Sequence, residues 1–208
     1  MSKTQSYRLV AGLAGVIGVS MQIAKDGWGM LLYYTVLSNI LVFGFMFYLV
    51  YAEFKDGSVN NHRTLLRIKG GVMMCITLTF LVYHFMLGPR VAPADFWNVR
   101  NFLVHYIAPL AMIVDTLMFD RRRSYDRLDP IKWMSVPIAY LIFAIINGQW
   151  LKLAIPGAVD SPYPYYFLNI DKYGVQPVVI YCVVIAIAYA LLGYVLMGLK
   201  TYIGTKNN

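Results

Sequence analysis

The chain has 208 residues, of which 59% are hydrophobic and only 13% charged, and it carries a formal net charge of +8. A soluble domain holds roughly 25% charged residues, so this composition excludes a protein with water on every side. In a soluble chain the positive balance would point to nucleic acid. Here the basic residues stand between apolar runs, where they serve as topology signals and as contacts for anionic lipid headgroups, and no nucleic-acid partner is expected.

Apolar runs bounded by charge or by Pro and Gly clusters predict six helices, at residues 7–24, 28–54, 68–88, 98–119, 131–153 and 176–199. The expectation is an all-α, polytopic membrane protein with one domain over residues 1–208 and no internal repeat. The first run follows Lys3 and Arg8 with no small-x-small cleavage site behind it, so it reads as a retained span rather than a signal peptide. Ala11, Ala14, Gly15 and Gly18 give it two small-xxx-small pairs, which predict close packing inside the bundle.

Charge sets the expected orientation. With the N-terminus inside, Lys3, Arg8, Lys55, Arg63, Arg67, Lys69, Arg121, Arg122, Arg123, Arg127, Lys132, Lys200 and Lys206 all fall inside, and only Lys25, Arg90, Arg100, Lys152 and Lys172 outside. Both termini are therefore expected in the cytoplasm of a multi-pass protein of a bacterial inner or plasma membrane. Residues 154–175, AIPGAVDSPYPYYFLNIDKYGV, form an outer loop dense in Pro and Tyr. It reads either as a structured lid or as an aromatic belt at headgroup level. Cys75 and Cys182 fall inside apolar runs without metal-ligand spacing. The topology puts them in opposite leaflets, as packing residues rather than a disulfide, and no metal or cofactor is expected.

Polar side chains at membrane depth mark either function or interhelical bonding. Those that stand out are Thr35, Ser38, Asn39, His84, Asn101, His105, Asp115, Asn147 and Gln149. If helix 2 enters near Trp28 and helix 4 near Asn98, a rise of about 1.5 Å per residue puts Thr35 and His105 both roughly 10 Å below the outer boundary. Asn39 lies four residues after Thr35 and Asn101 four before His105, each on the same helix face as its partner. Pro109 cannot donate to the His105 carbonyl, so a break in regular helix is expected there. These features predict one polar pocket in the outer leaflet. The bland readings are a threonine bonded to its own i−4 carbonyl, a bridging His105, a His84 that merely reaches the interface, and an Asp115 that snorkels to Arg121–Arg123.

The segments YYTVLSNILV around Thr35, NFLVHYIAPLAMIVDTLMF around His105 and SPYPYYFLNIDKYG after helix 5 resemble the bacterial branch of the androgen-induced family of integral membrane hydrolases. The resemblance runs from about residue 30 to 175. It implies a six-helix intramembrane hydrolase with a threonine nucleophile and a histidine, whose animal members cleave fatty acid esters of hydroxy fatty acids. Those roles fall on Thr35 and His105, with membrane lipids and a lipid ester as the partners. The Thr-x-x-x-Asn pattern at Thr35 and Asn39 departs from the animal members towards the bacterial ones. Histidine suits the base that such a hydroxyl needs, and Asn39, Asn101 and His84 are the supporting or oxyanion candidates. The competing readings are a small-molecule or ion transporter, which the lack of paired mid-membrane charges and of visible repeats counts against, and a non-catalytic lipid-binding scaffold. The sequence leaves the oligomeric state open.

Overall fold

A computed structural model describes residues 1–158 and 161–206. The described residues form helices and connecting turns with no β-strand; Arg121 and Thr205 make an isolated bridge. Six helices are long and apolar enough to cross a membrane: α1 (Lys3–Asp26), α2 (Tyr34–Asp56), α3 (Arg63–Arg90), α4 (Val99–Phe119), α5 (Asp129–Leu151) and α6 (Val175–Tyr202).

Local chemistry explains the boundaries. Ser2 accepts from the Gln5 amide while the Gln5 side chain accepts from the Ser2 amide, a reciprocal cap that starts α1 four residues before the apolar run begins. Asn98 caps α4 by accepting from the Arg100 amide, and Pro130 sits in the first turn of α5, where its missing N–H costs nothing. The largest departure from expectation is α2. Residues Trp28–Leu32 form a separate 3₁₀ turn, Tyr33 is extended, and the α-helix begins only at Tyr34. Thr35 is thus the second residue of α2 rather than a mid-helix residue two turns down, and the depth estimate measured from Trp28 does not hold.

The glycines of α1 pack as expected. Gly12 and Gly15 face Phe47 and Phe43 of α2, while a Cβ at Gly18 would come within 2.9 Å of both Leu103 and Val104 on α4. Only a residue without a side chain allows this approach, and it brings the His105 segment against α1 and α2.

One end of the bundle holds both termini and a buried ion network. Arg8 pairs with Asp115 at 2.9 Å and with Glu53 at 2.8 Å, and Lys69 pairs with both Asp115 and Asp120. Lys200 donates to the carbonyls of Thr116 and Asp120. Arg8, Lys69, Asp115, Asp120 and Lys200 are all at most 1% exposed. Asp115 is therefore not a snorkelling partner of Arg121–Arg123. Its carboxylate points into the bundle because α1 and α3 deliver a guanidinium and an ammonium there, and a buried charge is tolerable only when paired.

The opposite end is closed by the loop between α5 and α6. Tyr163, Tyr165, Phe167 and Leu168 are buried, so the described part of this loop is a structured lid; residues 159 and 160 lie outside the description. Several hydrogen bonds pin it. Tyr33 Oη donates to the Pro156 carbonyl at 2.6 Å, Asn147 Nδ2 to the Pro162 carbonyl at 2.8 Å, and Gln149 to the Tyr163 hydroxyl. The Arg90 guanidinium stacks 3.9 Å over the Tyr166 ring at the rim. Beneath the lid, Cys75 and Cys182 belong to one aromatic-rich cluster with Tyr34, Tyr165 and Phe167. They are free thiols in the same region of the bundle, not in separate halves of it.

Candidate active site

Three helices depart from α geometry at the lid end. In each of Tyr83–Leu87, Leu103–Ile107 and Asn147–Leu151 the backbone widens into a π-turn, closed by bonds from Gly88 to Tyr83, Ala108 to Leu103 and Lys152 to Asn147. Proline follows the first two, at Pro89 and Pro109. A residue without an N–H leaves the regular ladder incomplete, and the wider turn is the local solution. His84, His105 and Asn147 each lie within one of these turns. Single π-turns inside α-helices recur at functional sites.

His105 sits in the second turn and is 8% exposed. Its ring lies flat against Tyr83 of the first turn, with centroids 3.6 Å apart and planes 17° from parallel. His105 Nδ1 stands 3.1 Å from the Asn101 carbonyl oxygen. A carbonyl can only accept, so Nδ1 carries the proton and Nε2 keeps the lone pair a base requires. Asn101 thus orients the ring through its backbone. Its side-chain amide is engaged elsewhere, donating to the Phe96 carbonyl at 2.9 Å.

Thr35 is 9% exposed at the start of α2. Here it has no helical carbonyl four residues back, so the self-bonded reading does not apply. Its contacts are with the lid instead. The Thr35 amide donates to Tyr165 Oη at 3.2 Å, and the two hydroxyls stand 3.5 Å apart. Tyr165 caps α2 from across the bundle, in place of Tyr33, which offers no side-chain cap. One turn into the helix, Ser38 donates to the Thr35 carbonyl and pairs with the Thr79 hydroxyl of α3 at 2.7 Å.

Asn39 links the two candidate catalytic segments. Its amide donates both to the Thr35 carbonyl at 2.8 Å and to the Val104 carbonyl, next to His105, at 3.0 Å. With both protons engaged, Asn39 has none left for an oxyanion, whereas Asn101 gives one amide proton to Phe96 and keeps the other. His84 is also misplaced for a supporting role. It is exposed, stacks on Phe80 and meets the Tyr106 hydroxyl at 3.3 Å, on the outer side of the His105 turn. Its neighbour Tyr83 faces the site instead.

Thr35 and His105 make no hydrogen bond with each other. They lie on segments that touch, α2 and the second π-turn, joined through Asn39. Thr35 lines a cleft of about 790 Å³ of empty space, partly open to the surroundings, between α5 and α6 with α2 and α3 behind and the lid above. Its walls are almost wholly apolar and include Leu78, Val82, Leu141, Phe167 and Ile185. His105 is not among the lining residues.

Tyr165 and Tyr83 are the two residues that sequence reasoning missed. For Tyr165 the available signal was only the density of Pro and Tyr in residues 154–175, which does not say which ring turns inward. Compared with known protein families, curated proteins and solved structures, the chain matches none.

Proposed function

We propose that this chain is an intramembrane hydrolase of lipid esters, with Thr35 as nucleophile and His105 as base. The observation that carries the reading is that Thr35 and Tyr165, whose hydroxyls stand 3.5 Å apart, line a cleft with largely apolar walls. Such a cleft suits a molecule with one ester and a long hydrocarbon tail. The ester carbonyl lies at Thr35, and the tail runs between α5 and α6.

A threonine hydroxyl is a weak nucleophile until a base takes its proton. His105 Nε2 is the lone-pair nitrogen on the neighbouring segment, and since the two side chains make no hydrogen bond, the mechanism requires a water to carry the proton from Oγ1 to Nε2. Thr35 Oγ1 bonds to the carbonyl carbon, and its proton passes to His105. The carbonyl π pair moves to oxygen, then re-forms the double bond as the C–O bond to the alcohol breaks. His105 returns the proton to the leaving alkoxide, and water hydrolyses the acyl-threonine by the same steps. The basic residues at the end that holds the termini support a cytoplasmic placement for that end, with the lid on the outer face of a bacterial plasma membrane.

A second reading, transport of an ion or small molecule, draws on the paired charges of Arg8, Asp115 and Lys69, and on a polar cavity that reaches Arg8 and Glu53. Hydrolysis of long-chain acyl esters by purified variants separates the two. The hydrolase reading expects Thr35→Ser to keep part of the activity and Thr35→Val to lose several orders of magnitude at unchanged thermal stability. Parent-rate hydrolysis by Thr35→Val removes the threonine mechanism and leaves transport as the better reading.

A further inference from the structure

We infer that the Tyr165 hydroxyl is the donor that stabilises the oxyanion formed when Thr35 is acylated, an inference that rests on the hydrolase reading above.

The argument is one of elimination among the donors around Thr35 Oγ1. Both Asn39 amide protons go to the carbonyls of Thr35 and Val104. Ser38 donates to the Thr35 carbonyl, and Tyr140 Oη donates to the Leu32 carbonyl at 2.8 Å. The Thr35 amide is engaged with Tyr165 Oη. Tyr165 accepts in that bond, which leaves its own proton available, and Thr35 Oγ1 stands 3.5 Å from its oxygen. A carbonyl carbon bonded to Oγ1 would carry its oxygen into this position.

Several features hold the phenol in place. Its ring stacks on Phe167 with centroids 5.3 Å apart and planes 3° from parallel, and it meets Tyr33 edge-on at 5.8 Å. Burial pushes the Tyr165 hydroxyl above the ordinary phenol range, so it stays a donor. The amide that donates to its oxygen belongs to the first turn of α2, where the helix dipole favours developing negative charge. As Thr35 Oγ1 bonds to carbon, the carbonyl π pair becomes the oxyanion lone pair that Tyr165 O–H receives. When that pair re-forms the C=O bond, the alcohol oxygen leaves with the proton from His105, and Tyr165 ends the step with its proton unchanged. The lid thereby supplies part of the catalytic machinery, and a lid that lifts leaves Thr35 without its oxyanion donor.

The test uses the full-length purified protein, a long-chain p-nitrophenyl ester as substrate, and two inhibitors with the same tail. A trifluoromethyl ketone adds to the nucleophile and forms an oxyanion, whereas the matching ether does neither. In Tyr165→Phe, kcat is expected to fall about 10²- to 10³-fold, the usual cost of losing one oxyanion donor. The trifluoromethyl ketone should weaken by a similar factor, with the ether unchanged. A structural role alone would weaken both inhibitors together, and that result, or parent-rate turnover, overturns the assignment. Should Tyr165→Phe fail to fold, 3-fluorotyrosine placed at residue 165 keeps the shape and sharpens the donor. A changed kcat with constant ether binding then supports the role, and an unchanged kcat overturns it. If the parent protein neither hydrolyses the ester nor takes up the trifluoromethyl ketone, the hydrolase reading itself falls, whereas an active parent with an equally active Tyr165→Phe sinks only the role of Tyr165.

Discussion

The two ends of this bundle bury polar groups in opposite ways. At the end that carries Arg8 and Lys200, the buried groups are charged: Arg8 and Lys69 are set against Asp115 and Asp120, with half-buried Glu53 beside Arg8, and Lys200 donates to the backbone carbonyls of Thr116 and Asp120. At the lid end they are neutral: hydroxyls of Thr35, Ser38, Thr79 and Tyr165 and the imidazole of His105. A balanced cluster of charges holds helices in register and strongly resists losing any one member. Hydroxyls with spare hydrogen-bonding capacity, placed beside an apolar cleft and three π-turns, leave room for a reacting group. On the proposed hydrolase reading, one end carries architecture and the other chemistry.

Substitutions at each end sharpen or break this division. The largest expected effect is on catalysis at the lid end. His105→Ala should lower ester hydrolysis by about 10²- to 10⁴-fold, the usual contribution of a general base, while melting with the parent. Thr35→Val with His105→Ala should be scarcely slower than Thr35→Val alone, since nucleophile and base act as a unit. Independent, multiplying losses would break the dyad.

Next comes the charged end, where the effect should appear in stability instead. Lys69→Met leaves Asp115 and Asp120 without their ammonium partner, and removing one member of a buried ion pair costs about 3–5 kcal/mol. Denaturant unfolding should register that loss, and the molecules that remain folded should hydrolyse ester at the parent rate per molecule. A stable but inactive Lys69→Met would contradict the division and strengthen the transport reading.

Gly148 tests how the lid is seated. A Cβ there would overlap the Tyr163 ring. Gly148→Ala must push Tyr163 and the lid outward, at a cost of about 1–3 kcal/mol typical of overpacking. Activity should fall more than stability, because Tyr165 is two residues away on the same segment. Smallest of all, His84→Ala should change stability by no more than about 0.5 kcal/mol and leave turnover unaltered, as expected for an exposed side chain outside the site.

How much of this was legible in the sequence follows from the range of each interaction. The six apolar runs reappear as the six long helices because hydropathy is a property of contiguous residues. The start of α2 was misread because Trp28–Leu32 is as apolar as the helix it precedes, and hydropathy does not separate a 3₁₀ turn from an α-helix. Asn39 was rightly paired with Thr35, an i to i+4 relation internal to one helix, but its second bond to Val104 depends on how α2 meets α4. The fate of Asp115 was hidden for the same reason, since Arg8 and Lys69 lie 107 and 46 positions away in sequence. Composition does not separate a lid from a belt, because Pro and Tyr suit the headgroup level as well as a packed plug, and what decides it is how the loop meets Tyr33 and Asn147, contacts distant in sequence.

The central claim is that Thr35 is an activated nucleophile, and a fluorophosphonate that captures activated hydroxyls tests it most directly. After incubation with the parent protein, intact-mass analysis and peptide mapping should locate a single phosphonyl group on Thr35. Labelling should be lost in Thr35→Val and slowed in His105→Ala, because the same base activates the hydroxyl towards both ester and probe. A phosphonyl group on another residue, or equal labelling of parent and Thr35→Val, would contradict the account.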